Sequence, residues 1–565
     1  MTNNLEKEEI KVDEIKINRE LIKKNKENRK IKITKDSFLN FLIKCVIVIT
    51  LCVLTFLTIA AISHTAYFWR CTISDPRENM HYEDDNILFN IVNVTIIIAL
   101  ISIFKIILSK VNNKILITIA SLIILILGYN WVNFVKAPVI GDQKIVLEAA
   151  ESFSKGDYEN INKHYFFMHP LQYGCVLGFE LIIKCLGNAD NINLQIINLL
   201  FLCGSVFTIY LITNKIYENK NISKLTTILI SIMFVIPLFA TVVYGNIFGM
   251  FFSLLSIYFL IKFYEKYEIK YICLISLSNM LAIIWKSNYE IVMIAITVSL
   301  IIDLIKKFNI KTLVCIITTI GLFSLSYPVV YKIVELRTGE KVNSGVPMIS
   351  YIAMGIQEPI DRQSGWYHPS INVESIYIEA NNDEKQAKEK SIELINDRIE
   401  VFKKDLSIFK WYYKDKICST WLEPAFQTLW WAAPGGAYHE QSEEYKTYVD
   451  SNEKLQKLLY GDENRYLIKI LDCLQILVYS MSIISLVYSI KNNTYNYKNS
   501  TLLITFLGGF LFHILWETKS IYVIPYFIML IPSAADGIEI INEKFKDTFF
   551  KIKDFLIIKL NKETK

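Results

Sequence analysis

Apolar runs of about twenty residues recur along almost the whole chain, and they limit its fold more than any other feature. In hydrocarbon every backbone N–H and C=O must be satisfied inside the protein, so runs this long read as membrane-crossing helices. Twelve are expected, at 38–62, 87–108, 114–132, 193–214, 224–243, 247–263, 271–285, 289–305, 312–332, 466–490, 500–516 and 520–537. The 565 residues are 53% hydrophobic, and this content is not gathered into one soluble core. The expected fold class is an all-α polytopic membrane protein.

The net charge of +5 names no partner and gives no reason to expect nucleic acid, but the distribution of charge is informative. Lys110 and Lys114; Lys215, Lys220 and Lys224; Lys262, Lys266 and Lys270; Lys306, Lys307 and Lys311; and Lys491 and Lys498 fall in alternate connections, on the side of both termini. Short cytoplasmic connections are enriched in lysine and arginine, so that side is read as cytoplasm. Residues 1–36 form a charged cytoplasmic tail, and the first apolar run, near Phe38, reads as an uncleaved anchor. Then come an N-terminal transmembrane module (37–335) with an outer loop at 133–192, an extracytoplasmic segment (336–465), C-terminal spans (466–540) and a basic cytoplasmic tail (541–565). Because the long connections, 133–192 and 333–465, both lie outside, chemistry is expected there.

In the second long connection Ile392, Ile395, Ile399, Phe402, Leu406 and Phe409 make one apolar stripe on a helix, followed by Trp411. Such a helix lies on the headgroups or within a small cap, and Trp421, Trp430 and Trp431 also fit a membrane surface. The ten cysteines include Cys45, Cys52, Cys203, Cys273 and Cys315 in spans and Cys71 and Cys418 in outer loops. None has zinc-type spacing, and they read as solitary small hydrophobes.

The first long connection carries the chemistry. It runs Ala137-Pro-Val-Ile-Gly-Asp142, then a short helix with Ile145, Val146, Ala149, Ala150 and Phe153 on one face. Asp142 is either the N-cap of that helix or a general base at the membrane boundary. Gly156, Asp157 and Glu159 read as turn residues; His164-Tyr165-Phe-Phe-Met-His169-Pro170-Leu171 follows, and then an apolar helix to about Leu186. Lys286 and Lys519 break the charge rule by sitting in tight outer turns, as phosphate ligands or as lysines snorkelling from helix ends. His513 and Glu517, four apart, share a helix face and are expected to hydrogen-bond. Glu83-Asp84-Asp85 is the rival acidic cluster and reads as a solvated loop.

The order Asp, short helix, His-Pro-Leu and surface helix resembles the first outer loop of the GT-C fold glycosyltransferases. The likeness is to the dolichyl-phosphate-mannose protein mannosyltransferase and aminoarabinose transferase superfamily, where the second surface helix opens with His-Pro-Pro-Leu or Lys-Pro-Pro-Leu. Here that element is His169-Pro170-Leu171, one proline shorter. The likeness covers residues 114–335 and, more weakly, Leu515-Trp516-Glu517-Thr-Lys519-Ser-Ile521-Tyr522 and Ile531-Pro532, with Ile521 where many relatives carry arginine.

The resemblance implies a bundle of about 12 transmembrane helices with outer juxtamembrane helices and a small mixed extracytoplasmic segment. It implies a polyprenyl-phosphate sugar donor, such as an undecaprenyl-phosphate sugar, and Asp142 as catalytic base. His169, Lys286, Lys519 and Tyr522 are expected to bind the donor phosphate, supported by Asn288, His513 and Glu517, without metal or cofactor. Transfer to an acceptor hydroxyl on an envelope glycan, a teichoic acid or a protein would invert the anomeric centre. The alternatives are a transporter or flippase of lipid-linked saccharides, and a polysaccharide polymerase or ligase; for the latter, Arg362, Arg398 and Arg465 are sparse.

Overall fold

The computed structural model describes residues 35–68, 78, 80–159, 161–432, 442–494 and 497–563. Nearly all of the N-terminal tail, and Cys71, lie outside the described residues. In chain order the principal helices begin with α1 (Lys35–Ser63), α2 (Ile87–Ile107), α3 (Asn113–Val135), α4 (Gly141–Ser154), α5 (Tyr173–Leu186) and α6 (Asn191–Tyr217). They continue with α7 (Lys220–Ile232), α8 (Asn246–Lys266), α9 (Ile269–Trp285), α10 (Glu290–Lys306), α11 (Ile310–Thr338) and α12 (Met348–Gly355). The last are α13 (Glu384–Lys404), α14 (Leu406–Trp421), α15 (Asp462–Asn492), α16 (Tyr497–Leu515) and α17 (Ile531–Glu563).

Among the described residues ten helices are long and apolar enough to cross a membrane, which makes the chain a multi-pass membrane protein. Two of the twelve expected spans take other forms. The 271–285 run is the shorter helix α9, and the 224–243 run is broken, α7 being followed after a 51° bend by Val235–Thr241. Pro237 lies just past the break and has no N–H to give the helix ladder. The freed carbonyls of Phe239, Ala240 and Val242 accept from the buried Asn198 amide at 3.0, 3.2 and 3.0 Å. Asn198 thus takes up three carbonyls where the chain leaves the helix inside the bundle, ahead of Tyr244.

The segments 133–192 and 333–465 meet at one end of the bundle. There the Val346 N–H donates to the Met168 carbonyl at 3.0 Å, and Lys163 pairs with Glu340 at 2.7 Å. At the other end the Lys224 ammonium donates to the carbonyls of Ser109 and Val111, and Lys215 pairs with Glu265 at 3.1 Å. Helices α4 and α5 are 14 residues each, too short to span, and pack on each other. Gly174 and Gly178 of α5 lie against Ile284 and Trp285. Arg337 of α11 grips Glu180 of α5 through two hydrogen bonds, at 2.5 and 2.9 Å.

Four local expectations are corrected. Between α1 and α2 stands an antiparallel hairpin, β1 (His64–Phe68) with β2 (Met80–Asp84), where no strand was expected. Of the acidic run that reads as a solvated loop only Asp84 is fully exposed: Glu83 pairs with Arg465, and the buried Asp85 pairs with Lys469 and accepts from Thr65 at 2.5 Å. The run thus ties the hairpin to α15. The apolar stripe at 392–409 spans two helices, since Asp405 ends α13 and caps α14 by accepting from the Ser407 N–H at 2.8 Å. Trp421 and Trp430 are buried in protein and do not face a membrane surface. Cys418 is a buried free thiol.

Candidate active site

At the end of the bundle where the two long segments meet lies a cavity of about 360 Å³, lined by Asp142, His169, Lys286, Asn288, Glu517, Lys519 and Tyr522 among others. Seven of the eight residues singled out in the sequence therefore share one space. They come from α4, from the end of the short helix Lys163–Met168 between α4 and α5, from the turn between α9 and α10, and from the turn after α16.

Asp142 is the second residue of α4. Gly141 precedes it at φ +55, a left-handed conformation that a side chain disfavours, and this turns the helix start toward the cavity. The N-cap position is Ile140, which supplies no capping side chain. Asp142 is thus not the N-cap, and its carboxylate accepts instead from the Tyr244 hydroxyl at 3.1 Å. Tyr244 is the hub of the site. Its oxygen also accepts from the Gln172 amide at 2.8 Å and lies 3.3 Å from the Tyr165 hydroxyl. Beside it the Val243 N–H donates to Gln143 Oε1 at 3.0 Å, fastening the emerging broken span to α4. Burial and the Asp142 charge hold the Tyr244 phenol well above its ordinary range, so it remains a donor.

Lys286 stands over the other feature of the same side chain, its Nζ 3.5 Å from the centroid of the Tyr244 ring. It makes no ion pair with a described carboxylate. Burial lowers its ammonium to about 8, although Cys175, Asp142 and Glu517 oppose the shift. Lys519 is in a different state: both oxygens of Glu78 accept from its ammonium, at 2.9 and 2.8 Å. Arg362 lies 3.7 Å from the same carboxylate, and Gln427 donates to it at 2.8 Å.

His169 ends the short helix Lys163–Met168, and both its ring nitrogens are engaged. Nδ1 is 3.1 Å from the Tyr351 hydroxyl and Nε2 is 3.3 Å from Glu374. The hydrogen bond from His169 holds the Glu374 carboxyl below its usual range. Glu517 lines the cavity with no hydrogen bond to a described residue, and burial raises its carboxyl. His513 does not line the cavity, and its ring makes no hydrogen bond with the Glu517 carboxylate; what links the two is the Glu517 backbone. His513 is buried, and its ring packs 6.2 Å from that of Tyr522. The Asn288 carbonyl accepts from the Tyr526 hydroxyl at 3.2 Å.

Sequence reasoning passed over Tyr244, Gln172, Tyr351, Glu374 and Glu78. None carried a signal of its own: Tyr244 is an ordinary aromatic residue in the turn Tyr244-Gly245-Asn246, and the others depend on contacts between distant segments. Among the described residues no group of three or more His, Cys, Asp or Glu side chains is placed to hold a metal ion. The arrangement offers a carboxylate that can take a proton, an ammonium that can meet an anion, and between them a phenol that touches both. Compared with models of known protein families the chain gives no match, and no curated protein matches it either.

Proposed function

We propose that the chain is a GT-C type glycosyltransferase, a bundle of about twelve spans that moves a sugar from a polyprenyl-phosphate carrier to the hydroxyl of an extracytoplasmic acceptor. The observation that carries this reading is the meeting of Asp142 and Lys286 on Tyr244 within one cavity. The lysine count supports an outer position for that end of the bundle, where nucleotide sugars are absent and a lipid carrier is a natural donor. The donor arrives sideways from the bilayer with its phosphate toward Lys286. The acceptor oxygen forms its bond to the anomeric carbon as the carbon–oxygen bond to phosphate breaks. The acceptor proton passes to Asp142, and the electron pair leaves with the phosphate, whose added charge meets the ammonium. A single displacement of this kind inverts the anomeric centre. Lys519 and Arg362, already neutralised in part by Glu78, contribute to the positive wall, and His169 orients Tyr351 toward the donor.

One observation favours a second reading. A broken span beside a polar cavity is a feature of transporters, so a flippase of lipid-linked saccharides is the alternative. Here the break has its own cap in Asn198 and serves to bring Tyr244 to Asp142. The test is reconstitution of the full chain in liposomes with radiolabelled polyprenyl-phosphate sugar and an envelope extract as acceptor. Appearance of label in acceptor together with free polyprenyl phosphate supports the transferase. Movement of intact donor between leaflets without glycosyl transfer supports the flippase and rejects the transferase.

A further inference from the structure

A base and a cation that serve one reaction face a problem of their own making. Left together in a half-buried cavity, a carboxylate and an ammonium attract and pair, and the pair is both a poor base and a poor anion ligand. Asp142 and Lys286 line the same cavity and are not paired. What lies between them is Tyr244. Its hydroxyl donates to Asp142 at 3.1 Å, and its ring face holds the Lys286 ammonium at 3.5 Å.

We infer that Tyr244 is a positioning residue that keeps Asp142 and Lys286 apart, binding the carboxylate by its edge and the ammonium by its face so that both stay available to substrate. The surroundings are built for this. Gln172 fills one acceptor site of the phenol oxygen at 2.8 Å; the phenolic hydrogen goes to Asp142 at 3.1 Å, a charged acceptor stronger than the Tyr165 hydroxyl at 3.3 Å. The neighbouring Val243 N–H is fixed to Gln143, so the ring cannot swing away with its backbone. The other groups that act on Lys286 are the Cys175 thiol on α5 and the Glu517 carboxylate on the turn after α16; the latter is the alternative partner the ammonium would find. The use made of the separated charges rests on the transferase reading, but the separation itself does not.

The test follows the titration of Lys286 directly. The full chain in detergent is pulsed with acetic anhydride across pH 6 to 10, and modification of the Lys286 peptide is read by mass spectrometry. In the wild type the midpoint is expected at about 8. Tyr244→Phe keeps the ring face and is expected to leave the midpoint in place. Tyr244→Leu removes the spacer; Lys286 then pairs with Asp142, its midpoint rises by about one unit or more, and labelling at pH 8 falls about fivefold. Adding Asp142→Asn to Tyr244→Leu is expected to return the midpoint to the wild-type value or below. Should Tyr244→Leu label like the wild type, or should Asp142→Asn fail to reverse its shift, the inference is overturned. Because no turnover enters this measurement, it can succeed where sugar transfer is never found, and it can fail where transfer is robust. In the transfer assay Tyr244→Phe is expected to lower kcat with KM for donor held, and a purely structural role would not split them in this way.

Discussion

Lys286 and Lys519 both sit in turns at the cavity end, away from the lysine-rich connections, yet they end in different chemical states. Lys519 is held by Glu78, whereas Lys286 has only an aromatic face and lies at about 8 because burial disfavours its charge. The sign of the pH effect follows. If the ammonium is what meets the departing phosphate, activity is full while Lys286 is protonated and declines as pH rises through about 8. Lys286→Arg, whose guanidinium keeps its charge at all working pH values, is expected to abolish that alkaline limb, whatever it costs in kcat. A pH profile of kcat/KM for the two proteins checks this, and an unchanged limb in the arginine variant would assign it elsewhere. Lys286 was legible because it broke the charge rule, and Asp142 because it opens a short helix that leads on to His169-Pro170-Leu171. Tyr244 broke no rule, since aromatic residues are ordinary at such turns. Glu78 and Glu374 were illegible for another reason: each meets its partner across more than two hundred residues of chain.

At the scale of elements, apolar run length located the ten described helices that are long enough to cross a membrane, but it did not show where a run is broken or short. The 224–243 run has the composition of a straight helix, and only the pairing of its freed carbonyls with Asn198 makes the break affordable. The hairpin β1–β2 was missed because its two strands flank a connection between spans and owe their place to ion pairs with α15. The junction of the two long segments is equally a matter of contact. Gly345, at φ +71, packs so closely that a Cβ would lie 2.4 Å from Pro170 Cδ and 2.8 Å from the Met168 carbonyl oxygen, next to His169. Gly339 shares the left-handed backbone at φ +72 but has nothing within 4 Å. Gly339→Ala is therefore expected to cost about 1 kcal/mol of backbone strain, and Gly345→Ala about 1–3 kcal/mol beyond that for overpacking. Thermal unfolding of both variants in one detergent measures the difference. Equal losses would mean that the junction yields freely.

At the scale of the molecule the account depends on which way the bundle faces. Lys155 and Lys341 are exposed at the cavity end, and Lys220 and Lys307 are exposed connections of the lysine-rich side. With the accessible native cysteines replaced, single cysteines at the first two positions are expected to react with a membrane-impermeant maleimide added to intact cells. Cysteines at the other two should react only after permeabilisation; the reverse pattern would put the cavity in the cytoplasm and remove the case for a lipid-linked donor. The fold class was plain from the sequence, because bilayer thickness imposes it on any chain with such runs. The cavity was not, because it joins two segments separated by six helices with the turns after α9 and α16. The claim that most needs measuring is that Asp142 takes the acceptor proton. Purified wild type and Asp142→Asn should be compared with one labelled polyprenyl-phosphate sugar, both for equilibrium binding and for transfer. The account predicts binding within about threefold of wild type and transfer lower by about a hundredfold or more; transfer by Asp142→Asn at the wild-type rate would contradict it.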